Sequence, residues 1–187
     1  MNAQLSQKSK TAMMALCGLF AAIAAVCSWI SIPLGFTPVP VNLGTLAVFL
    51  CGALFGPKYG PLSLTVYALA GAVGVPVFSG FRGGFSVLAG PTGGYIIGYI
   101  VGAFVIGLII TAATRSEHST AVSVVLYAFA MICGLAACYS LGTAWFMFST
   151  HTGFAAAMVS CVIPFLPGDA LKITAATILA RKLKKFI

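Results

Sequence analysis

The sequence predicts an all-α membrane protein with six transmembrane helices, and three observations carry this prediction. Hydrophobic residues make up 60% of the 187 residues and charged residues only 6%, and the mean hydropathy is +1.09. Soluble domains are about one-quarter charged, so this chain has too few charges to cover a water-exposed surface. The apolar residues form long runs, and the basic residues gather in the short segments between them. We expect a single domain over residues 1–187.

The long apolar runs are the predicted spanning helices. The first run, over 11–32, exceeds the roughly 20 residues that a spanning helix needs. It continues without a convincing signal-peptide cleavage site, so we expect an uncleaved helix. The run over 154–165 is too short to span and ends in prolines, which favours a re-entrant or interfacial piece. The other predicted spanning runs cover 41–55, 62–73, 95–113, 121–148 and 167–186.

Two irregular segments interrupt these runs. Residues 33–40 contain three prolines, which cannot continue a helix, and they form a loop with Phe36 at its tip. Residues 74–94 are rich in glycine, mainly apolar, and carry one charge, Arg82. Non-helical backbone at membrane depth is tolerated only where it is buried in protein or lines a cavity. We therefore expect this second segment to fold over or into the helix bundle.

The charge distribution predicts an orientation. The formal charge of +8 comes from short basic clusters with no basic stripe among aromatic residues, so it indicates topology and not a nucleic-acid partner. Cytoplasmic loops are enriched in Lys and Arg. This rule places both termini in the cytoplasm of a multi-pass protein of the cell membrane. Both irregular segments and the start of the last helix then meet at the outer face.

Several classes of function fit poorly. The six cysteines form no Cys-x-x-Cys pair, and His118 and His151 have no partners at metal-ligand spacing. We therefore expect no metal site and no cofactor. There is no second aspartate to form a catalytic pair, no Ser-His-Asp set and no Gly-x-x-x-x-Gly-Lys phosphate loop. We expect neither an enzyme nor an ATPase, so uphill transport would need a partner or an ion gradient.

The strongest candidate site is Asp169 with Lys172. Asp169 is the only aspartate in the chain, and it opens the last predicted helix. A charged side chain costs about 2.5–3.5 kcal/mol at the centre of a membrane helix. The two residues are three apart and so share one side of the helix. They could form an internal ion pair that helps the helix begin. We favour a ligand site, because ionisable residues within membranes mark ligand or ion pathways.

Further candidates surround this pair. Arg82 could hold an anionic ligand. The aromatic residues Phe36, Phe81, Phe85, Tyr95 and Trp145 are possible apolar walls, and residues 90–94 offer amide groups at a helix start. Within the first helix, Ala21 and Ala25 lie one turn apart and suit close packing, either inside this protein or against another membrane protein. The candidate binding residues are Phe36, Asn42, Arg82, Phe85, Thr92, Gly93, Tyr95, Tyr139, Asp169 and Lys172.

Four motifs occur in a characteristic order. They are TPVPVNLGTL at 37–46, GVPVF at 74–78, GPTGGY at 90–95 and PGDALK at 167–172. With these motifs and its six-helix profile, nearly the whole chain resembles the BioY family, the biotin-specific substrate-capture (S) component of energy-coupling factor (ECF) vitamin transporters. The resemblance implies a six-helix S-component fold whose outer loops enclose one biotin. It also implies docking on a membrane scaffold subunit through small residues of helix one, which Ala21 and Ala25 would match, and two cytoplasmic ATPase subunits.

The resemblance sharpens the expected chemistry of the site. Biotin has a ureido group with two N–H donors and one C=O, and a tail that ends in a carboxylate. We expect Asp169 to accept from the ureido N–H groups and Lys172 to donate to the ureido oxygen or the carboxylate. The family usually has Thr-Leu-Gln-Thr-Leu where this chain has Asn42 to Leu46, so Gly44 replaces the glutamine. Three alternatives remain: a stand-alone facilitator or ion-coupled transporter, an S component for another vitamin, and, remotely, a membrane enzyme.

Overall fold

The computed structural model describes residues 10–113 and 119–184, and most of them are helical. Two short antiparallel strands, β1 (Ser31–Ile32) and β2 (Val41–Asn42), close the proline-rich loop by pairing Ser31 with Asn42. The segment between the predicted spanning runs 95–113 and 121–148 lies almost wholly outside the described residues, as do the basic residues Lys8 and Arg115. The elements are α1 (Lys10–Trp29), β1 (Ser31–Ile32), β2 (Val41–Asn42), α2 (Gly44–Ala72), α3 (Phe85–Ala89), α4 (Gly93–Ala113), α5 (Thr120–Thr150), α6 (Phe154–Cys161), a 3₁₀ turn (Ile163–Phe165) and α7 (Leu166–Leu183).

Helix α2 consists of two arms that fold back on each other at Gly56. The backbone of Gly56 is non-helical, with φ +69°. A Cβ on Gly60 would lie 2.7 Å from the carbonyl oxygen of Cys51, so the second arm packs against the first. The predicted break is therefore present but shorter than expected: the helix resumes at Pro57, because proline suits the first position of a helix. Counting the arms separately, the described residues contain six long helices.

Four stretches of the described residues are long and apolar enough to cross a membrane. They cover 11–29, 93–113, 121–150 and 154–183. The last stretch joins α6, the 3₁₀ turn and α7, so the short run expected to be re-entrant or interfacial leads directly into the final helix. The two arms of α2 are each shorter than the roughly 20 residues of a full span.

Helix α4 packs between α2 and α5. Its glycines make this close approach possible. A Cβ on Gly98 would lie 2.9 Å from the carbonyl oxygen of Cys138, and one on Gly102 would lie 2.9 Å from that of Gly134. A side chain at either position would push α4 away from α5.

The order of the helices brings six of their ends together at one end of the bundle. The ends of α1, α2 and α5 and the starts of α2, α4 and α7 lie at one end of the bundle, together with the proline-rich loop. The connection between α2 and α4, residues 73–92, covers this end, and we refer to it as the cap. Within the cap, the ring of Phe78 lies directly on Gly71, and the amide of Gly84 donates to the carbonyl of Gly71 at 2.7 Å. The cap is therefore packed on the bundle, as expected.

Candidate ligand-binding site

A cavity lies between the cap and the bundle. It contains about 680 Å³ of empty space, its open mouth included. Its walls come from the proline-rich loop, both arms of α2, the cap, α4, α5, α6, the 3₁₀ turn and α7. Apolar walls are provided by Val39, Phe78, Ile96 and Phe165, among others. The polar residues that line it are Asn42, Thr45, Tyr67, Ser79, Arg82, Thr92, Tyr95, Tyr99, Tyr139, Asp169 and Lys172.

Asp169 and Lys172 lie side by side in the wall of this cavity. The Nζ of Lys172 is 2.8 Å from Oδ1 of Asp169, and the two residues are only 8% and 1% exposed, respectively. Burial of a charge is tolerated when the charge is paired and hydrogen-bonded. The first turn of α7 adds favourable interaction, because the helix N-terminus carries partial positive charge near the carboxylate. Both predicted residues therefore belong to one buried ion pair.

Two further side chains complete the network around Asp169. The hydroxyl of Thr45 donates to Oδ1 of Asp169 at 3.0 Å and accepts from the Nζ of Lys172 at 3.1 Å. The hydroxyl of Tyr139 donates to Oδ2 of Asp169. Three elements that are distant in sequence, α2, α5 and α7, thus converge on one carboxylate.

This network leaves a defined capacity for a ligand. A carboxylate has about four lone-pair sites, and an ammonium group has three donors. Within the described residues, Asp169 accepts three hydrogen bonds and Lys172 donates two. Among the described residues, one acceptor site of Asp169 and one N–H donor of Lys172 therefore remain, and both residues line the cavity. A ligand group with an N–H beside a C=O matches this arrangement.

Four tyrosines shape the rest of the wall. Tyr67 is hydrogen-bonded to Ser28 at 2.9 Å, and Tyr99 donates to Oδ1 of Asn42 at 3.2 Å. Tyr95 packs edge-on against Tyr139, with 6.4 Å between ring centres. The hydroxyl of Tyr95 is hydrogen-bonded to Thr143 at 3.2 Å. Because each of these four hydroxyls has a protein partner, the rings present mainly apolar surface to the cavity. They can flank a compact ring system.

The cap supplies the mouth of the cavity. Arg82 lines it, and its Nε donates to the carbonyl oxygen of Ser79 at 3.2 Å. Thr92 also lines the cavity, next to the start of α4. Arg82 is exposed, so its guanidinium can meet an anion that enters from solvent.

Four aromatic residues that the sequence suggested as apolar walls lie outside the cavity wall. Phe36 and Phe85 are 64% and 73% exposed and are not among the lining residues, because both loops direct these rings outward. Phe81 stacks on Trp29, with 5.1 Å between ring centres. Trp145 lies behind Gly94 and donates its indole N–H to the carbonyl of Gly90 at 2.9 Å. None of these four aromatic residues forms the cavity wall that the sequence suggested.

One amide of the expected site at 90–94, that of Gly93, is already bonded within the protein, as is that of the following Tyr95. The amides of Gly93 and Tyr95 donate to the carbonyls of Gly90 and Thr92, at 3.0 Å and 3.1 Å, so neither is free for an anion. Gly93 does not line the cavity. Its Cβ would collide with the carbonyl oxygen of Leu88, so glycine is needed there for the tight entry into α4.

Ala21 and Ala25 lie inside the bundle. They are 8% and 5% exposed and belong to the core of this chain. These two residues therefore pack inside this chain, and docking of a partner on them stays a prediction. The exposed face of α1 instead carries Ala15, Gly18 and Ala22.

The sequence prediction missed Thr45, Tyr67 and Tyr99. Tyr99 follows Tyr95 by one helical turn, and Thr45 follows Asn42 by three residues in the same motif. Helical spacing from a candidate already identified could therefore have revealed two of them. Tyr67 had no comparable signal, since it belongs to the cavity only because the second arm of α2 folds back.

The fold and the cavity define the class: a multi-pass helical membrane protein with a capped, partly polar cavity at one end of its bundle. The model of the BioY family matches residues 1–187. This chain belongs to the BioY family.

Relatives and a solved structure agree with this assignment. The chain is 44% identical to the biotin transporter BioY of Thermotoga maritima over 168 residues, which cover 90% of this chain and 93% of that protein. It is 36% identical to the probable biotin transporter BioY of Pyrococcus horikoshii, with 94% and 98% covered. The crystal structure of the S-component for biotin from an ECF-type ABC transporter superposes with a TM-score of 0.85 at 26% identity, covering 97% of this chain and 95% of that one. The fold is that of a transporter component and not of an enzyme.

Proposed function

We propose that this chain captures biotin with high affinity in the capped cavity and acts as the S component of an ECF transporter. The names of its relatives and of its structural neighbour support biotin as the ligand. The family model covers residues 1–187, which supports a single substrate-binding domain. The observation that carries the proposal is the pair of Asp169 and Lys172, with one acceptor site and one donor left over at the cavity.

Biotin fits the chemistry of this wall. Its ureido N–H donates to the remaining lone pair of Asp169, while Lys172 donates its remaining N–H to the ureido oxygen. The fused rings pack between the tyrosine rings, including Tyr95 and Tyr139. The tail extends toward the mouth, where Arg82 meets its carboxylate. Thr92 contributes a hydroxyl at the same mouth.

The proposed orientation directs the cap to the outside of the cell. Lys58 lies beside the turn at Gly56, and Arg181, Lys182 and Lys184 lie at the end of α7, all at the end of the bundle away from the cap. Within the described residues, the cap end carries Arg82 and the buried pair. The enrichment of cytoplasmic segments in Lys and Arg supports cytoplasmic N- and C-termini in the cell membrane.

The chain has no nucleotide-binding motif, so we propose that energy comes from partners. An ECF transmembrane scaffold subunit would contact the S component and connect it to two cytoplasmic ATPase subunits. The exposed face of α1, with Ala15, Gly18 and Ala22, suits such a contact, since a Cβ on Gly18 would have no neighbour within 4 Å. Small residues at one-turn spacing let two membrane helices approach closely.

Direct binding tests the proposal. The protein is purified in nanodiscs and titrated by isothermal calorimetry with biotin, with its neutral amide and with a panel of other vitamins. We expect saturable one-to-one binding of biotin and no binding of unrelated vitamins at the same concentrations. Binding of another vitamin in preference to biotin would assign the chain to a different substrate.

Transport measurements address the energy source. Proteoliposomes that contain this chain alone are compared with proteoliposomes that contain it with a scaffold subunit and ATPases. We expect ATP-dependent accumulation of biotin only in the second preparation. Accumulation by the chain alone would favour the stand-alone transporter.

A further inference from the structure

Among the described residues, three side chains of the bundle and its loops donate hydrogen bonds to the cap. The indole N–H of Trp29 donates to the carbonyl of Pro76 at 2.8 Å, and that of Trp145 donates to the carbonyl of Gly90 at 2.9 Å. Between these two points, Nδ2 of Asn42 donates to the hydroxyl of Ser79 at 2.7 Å. Of the three, only Asn42 lies in the wall of the cavity.

We propose that Asn42 is a positioning residue that holds the cap closed over the cavity, and that it thereby sets how long a bound ligand stays. The effect on ligand residence rests on the proposed function. The hold on the cap is a property of the ligand-free protein and can be tested without any ligand.

The carboxamide of Asn42 is occupied by the protein itself. Its Oδ1 accepts from the amide of Gly44 at 2.8 Å and from the hydroxyl of Tyr99 at 3.2 Å. An amide oxygen has two lone pairs, so this oxygen is saturated. Asn42 was expected to bind the ligand directly, but only one N–H of its Nδ2 remains for that purpose. Asn42 therefore connects α2, α4 and the cap through its side chain.

On the bundle side, Asn42 contacts the starts of α2 and α4. Tyr99 belongs to α4, and Gly44 is the first residue of α2. A Cβ on Gly44 would lie 2.7 Å from the Tyr99 hydroxyl and 2.9 Å from Oδ1 of Asn42. The absence of a side chain at Gly44 therefore creates the space in which Tyr99 reaches Asn42.

The cap side is a tight turn that ends in Arg82. The amide of Phe78 donates to the carbonyl of Arg82 at 2.9 Å, and Gly80 and Phe81 have positive φ angles of +72° and +56°. Ser79 lies inside this turn, and its carbonyl accepts from the Nε of Arg82. The bond from Asn42 to Ser79 therefore fixes the turn that carries the guanidinium. Loss of that bond should free both the cap and Arg82.

The first experiment uses the ligand-free protein. The chain has two tryptophans, and each contacts the cap at a different point, so 5-fluorotryptophan labelling gives two ¹⁹F resonances that Trp→Phe variants assign. Asn42→Ala and Ser79→Ala should shift or broaden the Trp29 resonance, because Trp29 contacts the cap at Pro76 and Phe81. The Trp145 resonance should change less. Ser123→Ala, which removes a helix-bound hydroxyl of α5, is the matched control.

The second experiment measures release of radiolabelled biotin from nanodiscs. Loss of one neutral hydrogen bond in the bound state corresponds to roughly a two- to tenfold change in the dissociation rate constant. We expect release to become faster by about this factor in Ser79→Ala, with little change in the association rate. Because both variants remove the same bond, the double variant Asn42→Ala/Ser79→Ala should release biotin no faster than Asn42→Ala alone.

The outcomes separate the two proposals. An unchanged Trp29 resonance in both variants, or equal changes at Trp29 and Trp145, would overturn the role of Asn42. Multiplicative effects of the two substitutions on release would overturn it as well. If the unmodified protein binds no biotin, the proposed function fails, while the ¹⁹F spectra still decide whether Asn42 holds the cap.

Discussion

The Nζ of Lys172 lies 2.8 Å from Oδ1 of Asp169, and both side chains are buried in the first turns of α7. Such a pair can serve the fold, the ligand or both. Removing one partner leaves an uncompensated buried charge, which costs about 3–5 kcal/mol, whereas replacing both charges is often neutral for stability. The pair therefore has to be tested with a substitution that removes both charges together.

The double variant Asp169→Asn/Lys172→Gln should fold but bind biotin more weakly than the unmodified protein. Its free energy of unfolding, measured by SDS titration in mixed micelles, should lie near that of the unmodified protein, and Asp169→Asn alone should be clearly less stable. Charged hydrogen bonds contribute about 1.5–3 kcal/mol, so biotin affinity should fall roughly 10- to 100-fold in the double variant. Calorimetry gives the affinity. Full affinity in a folded double variant would show that the pair is only structural.

Tyr139→Phe should destabilise the protein more than Tyr67→Phe does. Tyr139 donates to the carboxylate of Asp169, while Tyr67 bonds to the neutral hydroxyl of Ser28. The expected losses of unfolding free energy are about 1.5–3 kcal/mol for the first and about 0.5–1.5 kcal/mol for the second. The same SDS titration compares them. Equal losses would mean that the Tyr139 hydroxyl has no special interaction with the charge.

The sequence predicted the class of fold, and it identified the ion pair of the candidate site, because both depend on local signals. Long apolar runs predict membrane helices, and a lone aspartate with a lysine one turn later marks a site in an apolar helix. Residues from other helices could not be found in this way. Whether Thr45 and Tyr139 reach Asp169 depends on how α2, α5 and α7 pack. The outward direction of Phe36 and the burial of Ala21 likewise depend on loop geometry and helix rotation, which composition does not encode.

Gly44→Ala should strain the contact between α2 and α4. The new Cβ would lie 2.7 Å from the Tyr99 hydroxyl, and overpacking of this kind costs about 1–3 kcal/mol. In a Tyr99→Phe background part of that cost should disappear, because the hydroxyl is gone. Gly168→Ala is the matched control, since a Cβ there meets nothing within 4 Å. If Gly44→Ala costs the same in both backgrounds, Tyr99 is not the residue that requires a glycine.

Arg82→Ala should reduce the affinity for biotin more than the affinity for the neutral biotin amide. Arg82 is exposed at the mouth, so its attraction for a carboxylate is modest, and we expect roughly a two- to fivefold loss of biotin affinity that shrinks as salt is raised. Lys58→Ala, at the other end of the bundle, should change the affinity for neither ligand. Calorimetry at two salt concentrations measures these effects. Equal losses for biotin and its amide would exclude contact between Arg82 and the carboxylate.

Ala22→Leu should prevent the proposed assembly with a scaffold subunit without affecting biotin capture. Ala22 and Gly18 share the exposed face of α1, and added bulk there would keep a partner helix at a distance. Ala136→Leu adds the same bulk on the exposed face of α5 and should assemble normally. Ala21→Leu, at a buried position, should instead reduce stability through overpacking. Co-purification with the scaffold subunit and ATPases, alongside biotin calorimetry of the isolated chain, distinguishes these cases. Normal assembly of both Ala22→Leu and Gly18→Leu would show that the scaffold contacts a different face.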